Sequence, residues 1–135
     1  MKTASSAHAA LYRLSSGRLG KRVVGMPVLL LTTTGRRSGR PRTTPLSYLE
    51  DGNELVLAAS NGGNPWFPAW WLNLQANPRA SVQVGPRRIE VTAREATPDQ
   101  RDRLWPRFVN GYQGYGEYER RTTRRIPVVI LSPVD

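Results

Sequence analysis

The sequence lacks cysteine and has a single histidine, and each scarcity excludes a class of chemistry. Without cysteine, the 135-residue chain can form no disulfide, no thiol nucleophile and no cysteine-based zinc site. The one imidazole, His8, lies near the N-terminus, where chain ends are usually solvated. We therefore predict neither a Ser-His-Asp hydrolase nor a transition-metal centre built from protein ligands.

Long apolar runs and targeting segments are also missing. Runs such as residues 28–31 are far shorter than the roughly 20 residues that span a bilayer. The N-terminus offers Lys2 followed by small polar residues, without the apolar segment of a signal peptide. The expectation is a soluble, cytoplasmic protein with one domain over residues 1–135.

Basic residues are present in excess. Lysine and arginine number 20 against 10 acidic residues, so the net charge is +10, and 18 of the 20 are arginine. The planar guanidinium fork binds carboxylate and phosphate, which favours an anionic partner. The alternative is a solvated surface that is simply rich in arginine, and composition alone leaves both open.

The hydrophobic pattern predicts a mainly β (α+β) fold. Six strands are expected, at residues 28–34, 42–50, 54–60, 81–84, 87–94 and 126–131. Short flanking helices are expected at residues 3–20, 68–76 and 97–109, and a Gly/Tyr-rich loop at 110–118. Antiparallel strands of this number, joined mostly by hairpins, close into a barrel or pack as a small sandwich.

The first segment whose residue types suit ligand binding covers residues 35–42, which we call the basic loop. Glycines at 35 and 39 allow tight turns and exposed amide groups, the features of an anion-binding concavity. Four arginines surround it: Arg36, Arg37, Arg40 and Arg42. The segment suggests binding of a phosphate or of several carboxylates, although an exposed hairpin with a basic tip has the same pattern.

Two further segments combine aromatic residues with glycine. Residues 60–71 form a Gly-rich loop that leads into a Trp-rich helix start, a plausible floor for a flat ring, although tryptophan is more often structural. Residues 112–118 carry Tyr112, Tyr115 and Tyr118 between glycines, which suggests a lid over a pocket or, equally, surface tyrosines on a turn.

Together these segments resemble the deazaflavin-dependent nitroreductase and quinone reductase family, actinobacterial enzymes that use coenzyme F420. The resemblance covers roughly residues 25–132. It is carried by the sequence of residues 30–39, Pro41-Arg42, residues 58–60, Trp70, residues 72–74 and 76–78, and the spaced tyrosines. It implies a six-stranded antiparallel split β-barrel related to the flavin-nucleotide oxidases.

The resemblance also implies a cofactor site and an acceptor site. Arginines of the basic loop would hold the phosphate and oligoglutamate tail of F420, and the second segment would line the deazaflavin ring. The implied cofactor-binding residues are Arg36, Arg37, Ser38, Gly39, Arg42, Thr44, Ala58, Ser60, Asn61, Pro68, Ala69, Trp70 and Trp71. The implied catalytic residues are Ser60, Tyr112, Tyr115 and Tyr118.

The function expected on this basis is hydride transfer from the reduced deazaflavin to a planar, electron-poor acceptor such as a quinone or a nitroaromatic. Ser60 or a tyrosine would stabilise charge on the acceptor or supply the proton. Flavin mononucleotide is the nearest alternative cofactor. The rival functions are a non-catalytic binder of a lipid or fatty acid, with peripheral membrane contact, and a nucleic-acid-binding module. Either a monomer or a homodimer fits the sequence.

Overall fold

The computed structural model describes residues 22–23, 26–112, 114–121 and 124–134. The strands are β1 Arg22–Val23, β2 Met26–Thr34, β3 Pro41–Ser47, β4 Leu49–Asp51, β5 Glu54–Ala58, β6 Arg79–Val84, β7 Arg87–Glu95 and β8 Val128–Pro133. The helices are α1 Ala69–Ala76, α2 Pro98–Gly111 and α3 Gly114–Arg121, and a short 3₁₀ turn covers Asn61–Gly63. None of these helices is long and apolar enough to cross a membrane.

The strands form one antiparallel sheet that curls upon itself. Its order is β1-β2-β6-β7-β8-β5-β4, and β3 also pairs with β2. The outer strands β3 and β4 are consecutive in the chain and meet at Tyr48, whose N–H donates to the carbonyl of Pro27 at 3.1 Å. The two ends of the sheet therefore converge, as barrel closure requires.

The structure has eight strands in its described part, so the expected number of six was too low. One extra strand is β1, and the other arises because the predicted strand 42–50 is broken at Tyr48. Before the break the chain pairs with β2 and after it with β5, and the buried Tyr48 ring fills the corner. The predicted helix at residues 3–20 lies outside the described residues.

The expected loop at residues 110–118 is also corrected, because α2 runs to Gly111 and residues 114–121 form α3. Glycine makes this close approach of two helices possible: a Cβ at position 114 would lie 2.2 Å from the ring of Tyr112. The three-residue spacing of Tyr115 and Tyr118 is a helical spacing that places both on one face of α3, a signal that a loop assignment overlooks, whereas Tyr112 is the extended residue that ends α2.

Two apolar cores lie on opposite faces of β5 and β8. Leu55 and Leu57 face the barrel interior, whereas Val56 faces α2 and α3. β8 alternates in the same way, with Leu131 inside and Ile130 under the helices. Because both faces are buried, these strands read as continuous apolar runs. α2 and α3 thus form a helical cover over one side of the barrel.

Candidate active site

A cavity of about 360 Å³ opens where β3, the end of β5, the start of α1 and α3 approach one another. Its lining is apolar with a few hydroxyl and amide groups, as is typical of small-molecule sites. The lining residues are Thr44, Leu46, Ser47, Ala58, Ser60, Asn61, Gly62, Pro68, Ala69, Trp70 and Tyr115.

The loop after β5 forms one wall of this cavity. Asn61, Gly62 and Gly63 have φ values of 48°, 64° and 82°, so three successive residues are left-handed. Gly63 cannot be replaced easily, because a Cβ there would lie 3.2 Å from the backbone of Tyr118 on α3. This close approach brings the helical cover against the loop that presents Ser60.

The start of α1 forms the opposite wall. Pro68 precedes the first helical residue and its carbonyl accepts the N–H of Trp71 at 3.1 Å. Trp70 lines the cavity. Trp71 instead lies in the barrel core, where its indole N–H has no hydrogen-bond partner among the described residues. Of the two adjacent tryptophans, the structure therefore brings only Trp70 to the cavity.

Among the three tyrosines, Tyr115 is the one that reaches the cavity. Burial raises the pKa of Tyr115 above its ordinary value of 10.0, although a hydrogen bond with Ser47 opposes the shift. Tyr112 and Tyr118 pack edge-on against Tyr115, with ring centroids 5.7 and 5.9 Å away. A hydrogen bond with Tyr112 and burial raise the pKa of Tyr118. Tyr112 and Tyr118 thus support Tyr115 rather than line the cavity.

The basic loop is a closed turn that is tied to α1. Gly35 donates its N–H to the carbonyl of Arg40 at 2.8 Å, and Gly39 donates to Gly35 at 2.8 Å with a φ of 71°. The Arg36 N–H donates to Oδ1 of Asn73, a buried residue of α1, at 3.1 Å. The backbone of the basic loop is therefore fixed relative to the helix that lines the cavity.

The side chains of the basic loop carry charge that no carboxylate of the described residues neutralises. All four arginines are exposed: Arg36, Arg37, Arg40 and Arg42. In the part of the chain that the structure describes, no ion pair includes any of them. Such guanidinium groups are available to an external anion.

One face of β3 connects the basic loop to the cavity. Arg42, Thr44 and Leu46 alternate along the strand and therefore point to the same side. Their partners on β2 are Thr33, Leu31 and Leu29, which point toward the barrel interior. At about 3.3 Å per residue, Arg42 lies roughly 13 Å along the strand from Leu46. An elongated ligand can follow this face.

The structure brings together most of the residues singled out from the sequence. The cavity collects Thr44, Ala58, Ser60, Asn61, Pro68, Ala69, Trp70 and Tyr115. Arg36, Arg37, Ser38 and Arg42 lie at the far end of β3, and Gly39 borders a separate hollow of about 290 Å³. Sequence reasoning missed Leu46, Ser47 and Gly62. Strand alternation from Thr44 indicates Leu46, whereas no local pattern indicates Ser47.

The family model for the F420H(2)-dependent quinone reductases matches residues 4–133 of the chain. The chain belongs to this family. The F420H(2)-dependent quinone reductase Rv1261c of Mycobacterium tuberculosis is 46% identical over 129 residues, which cover 93% of this chain and 87% of that protein. These findings confirm the resemblance seen in the sequence, the deazaflavin cofactor and the class of reaction.

Solved structures agree with this assignment. The F420-H2 dependent reductase FDR-A is 40% identical, with a TM-score of 0.72 over 82% of this chain and 98% of that chain. A domain-swapped dimer is 38% identical, with a TM-score of 0.74 over 93% of this chain and 96% of that chain. The predicted split β-barrel is thereby confirmed, apart from its number of strands.

Proposed function

We propose that this member of the F420H(2)-dependent quinone reductases performs its reaction in the cavity beside Tyr115. Family membership establishes the reaction, in which hydride passes from reduced F420 to a quinone. The observation that supports the location is the continuous face of β3, which joins an apolar cavity to four arginines that form no ion pair within the described residues. The cavity at one end of this face suits a flat ring, and the arginines at the other end suit an anionic tail.

The residues present fit the cofactor at both ends. A cavity of about 360 Å³ lies within the usual range of roughly 300–1,000 Å³ for small-molecule pockets. Ser60, Asn61 and Trp70 would hold the deazaflavin ring, with Thr44, Ala58, Pro68 and Ala69 around it. Arg36, Arg37 and Arg42, with the turn at Ser38 and Gly39, would bind the phosphate and carboxylates. When bound, the reduced cofactor supplies the hydride.

Tyr115 is the residue that we propose as proton donor to the acceptor. Tyr115 lines the cavity, and its hydroxyl interacts with Ser47, which lines the cavity too. The pKa of Tyr115 is raised above 10.0, so the hydroxyl is protonated throughout the neutral range, while the same shift makes it a weaker acid than an ordinary tyrosine. Ser60 would serve as a second polar group, and Tyr112 and Tyr118 would exclude water from this side.

The range of acceptors, the cellular location and contact with a membrane go beyond what family membership defines. The family defines a quinone as the acceptor, and we propose that nitroaromatics are reduced only adventitiously. Quinones with apolar tails reside in membranes, and Trp66, 65% exposed, lies next to the cavity loop, where its carbonyl accepts from Asn61. A cytoplasmic protein with peripheral membrane contact through Trp66 is consistent with this position. Loss of vesicle binding in Trp66→Ser is the expected result of a flotation assay.

A homodimer is the assembly that we propose in solution, because one of the similar solved structures is a domain-swapped dimer. Light scattering coupled to gel filtration distinguishes a dimer from a monomer.

The decisive experiment is a fluorescence titration of the purified protein with oxidised F420, with flavin mononucleotide as competitor. We expect F420 to bind and flavin mononucleotide to compete poorly, since the latter offers one phosphate to the four arginines. Oxidation of F420H2 on addition of a quinone then reports turnover. Binding of neither cofactor would overturn the proposal in favour of a lipid-binding role on the same scaffold. F420 binding without turnover would leave a cofactor-binding protein that is not a reductase.

A further inference from the structure

Arg124 differs from the other arginines in what its guanidinium group contacts. Its side chain donates to four backbone carbonyls, three of which belong to the loop at residues 59–64. The distances are 3.1 Å to Ala59, 2.7 Å to Ser60, 3.0 Å to Asn64 and 3.1 Å to Arg125. The guanidinium also lies over the ring of Phe67, 4.9 Å from its centroid. One side chain thus links the whole loop that walls the cavity.

These contacts determine where the amide groups of the loop point. A trans peptide unit is planar, with its C=O and N–H on opposite sides. When Arg124 binds the carbonyls of Ala59 and Ser60, the N–H groups of Ser60 and Asn61 in the same two peptide units point away from the guanidinium. Ser60 and Asn61 line the cavity, whereas Arg124 does not.

The backbone conformation of the loop is consistent with this arrangement. Ser60 is right-handed helical, with φ −77° and ψ −30°, and Asn61 follows with a φ of 48°. Such an alternation turns successive N–H groups toward one concave side, where they receive an electronegative atom. A positive φ is uncommon at a residue other than glycine and persists where its surroundings impose it. The contacts of Arg124 and the left-handed turn thus act on the same two peptide units.

We propose that Arg124 is a positioning residue for the cofactor: it fixes the carbonyls of Ala59 and Ser60 and thereby presents the amides of Ser60 and Asn61 to the polar edge of the ring. The proposal rests on the proposed function, because it takes the cavity as the ring site. Arg124 touches neither cofactor nor acceptor and acts through the loop.

Three variants test this role. Arg124→Gln removes the charge and most donors, and Arg124→Lys keeps the charge but not the planar fork. Arg120→Gln is the matched control, because Arg120 is exposed on α3, pairs with Glu117 at 2.7 Å and contacts no loop carbonyl in the described residues. Each variant is titrated with oxidised F420, and the absorbance spectrum of the bound cofactor is compared with that of the wild type. Amide hydrogen exchange over residues 59–64 is measured without cofactor.

We expect Arg124→Gln to raise the Kd for F420 on the order of tenfold or more, because hydrogen bonds to a charged group are lost. Exchange in residues 59–64 should rise, and the spectrum of the bound ring should move toward that of free F420. Arg124→Lys should fall between Arg124→Gln and the wild type. Arg120→Gln should match the wild type in all three measurements.

The outcomes separate this inference from the function on which it rests. A wild-type protein that binds no F420 would overturn the proposed function and the inference with it. If the wild type binds F420 and Arg124→Gln binds it equally well with an unchanged spectrum, only the inference is overturned. Should Arg124→Gln fail to fold, Arg124→Lys decides: wild-type affinity, spectrum and exchange in that variant would exclude a need for the guanidinium fork.

Discussion

The basic loop and the helical cover are both rich in arginine, yet they use this residue in opposite ways. In the basic loop, four exposed arginines take part in no ion pair of the described chain. In the helical cover, arginines of α2 and α3 pair with carboxylates. These pairs are Arg101 with Glu119, Arg103 with Asp51 and Arg120 with Glu117. Three of the five arginines in the cover thus pair with carboxylates, whereas within the described residues none of the four in the loop does.

This difference shows that the number of arginines is a poor guide to their role, whereas the contacts of each guanidinium group are informative: carboxylates occupy some, and backbone carbonyls occupy that of Arg124. An exposed ion pair contributes little to stability, but it removes a cation from the set that can bind a ligand. The basic loop stands at the start of β3, and the strand face that carries Arg42 leads to the cavity. The predictions below test whether binding depends on that position or on net charge alone.

The largest effect is expected from Arg36→Ala combined with Arg37→Ala. Each lost contact to phosphate or carboxylate is a hydrogen bond between charged groups, worth roughly 1.5–3 kcal/mol. The Kd for F420 should therefore rise about 100-fold or more, while the melting temperature stays nearly constant. Added salt should weaken binding to the wild type more than to the variant, because it screens exposed charges. Fluorescence titration at two salt concentrations measures both.

The matched control for this pair is Arg103→Ala combined with Arg120→Ala. It removes the same formal charge from the helical cover and should leave the Kd for F420 within about twofold of the wild type, a small effect beside the direct contacts. If this control weakened binding as much as the loop variant, net charge would explain affinity and the contrast between the two regions would fail.

The second prediction concerns a substitution in the helical cover, which should lower turnover and leave cofactor binding almost unchanged. Tyr115→Phe removes the hydroxyl at the cavity and should lower kcat by up to about 100-fold, the low end of the range for general acid catalysis. The Kd for F420 should change little, because the ring that packs against Tyr112 and Tyr118 is kept. Tyr118→Phe is the control, since Tyr118 does not line the cavity. Equal turnover in Tyr115→Phe and wild type would exclude Tyr115 as proton donor.

A smaller effect is expected when the basic loop keeps its four charges but loses its hydrogen bond to α1. Asn73→Ala deletes the acceptor of the Arg36 N–H and the donor to Thr33 Oγ1, each at 3.1 Å. Because a neutral hydrogen bond is worth about 0.5–1.5 kcal/mol, the Kd should rise up to about tenfold, with a lower melting temperature. Asn77→Ala, at the residue that caps the end of α1, removes the acceptor of the Arg79 N–H and should spare binding. Unchanged binding by Asn73→Ala would show that charge suffices without a fixed loop.

Local patterns were enough to predict most of the fold. Alternation and turn signals located the six main strands. The helix expected from residue 97 agrees with α2, whose N-cap Thr97 exchanges reciprocal hydrogen bonds of 3.2 and 3.0 Å with Gln100. The break at Tyr48 was not predictable, because it depends on which strand pairs with each half of the segment. The helix at Gly114–Arg121 was missed, since its glycines suggested a loop.

The residues of the candidate site were predictable only where they form motifs. Clustered arginines, the Gly-rich loop and the spaced tyrosines stand out in the sequence. Only the family resemblance, however, assigned these three motifs to one site. Ser47 belongs to no motif. Arg124 stands in a cluster of arginines at 120, 121, 124 and 125, which the sequence presents equally as a solvated face or an anion site, and its contact with Ser60 joins positions 64 residues apart. Whether an arginine has a carboxylate partner is likewise a property of the folded chain.

The smallest effect is expected for Arg103→Gln, which disrupts an ion pair of the helical cover. Arg103 donates two 2.9 Å hydrogen bonds to the Asp51 carboxylate, and this contact lowers the pKa of Asp51 below its ordinary value of 3.8. A lowered pKa in the folded state stabilises the protein above pH 3.8, and this contribution is lost as the pH falls through the folded value. Thermal unfolding should therefore show a slight loss of stability in the variant at neutral pH that disappears in acid. Because Asp51 and Arg103 already neutralise each other far from the basic loop, the Kd for F420 should be unchanged, and any marked rise would mean that the paired arginines also attract the cofactor.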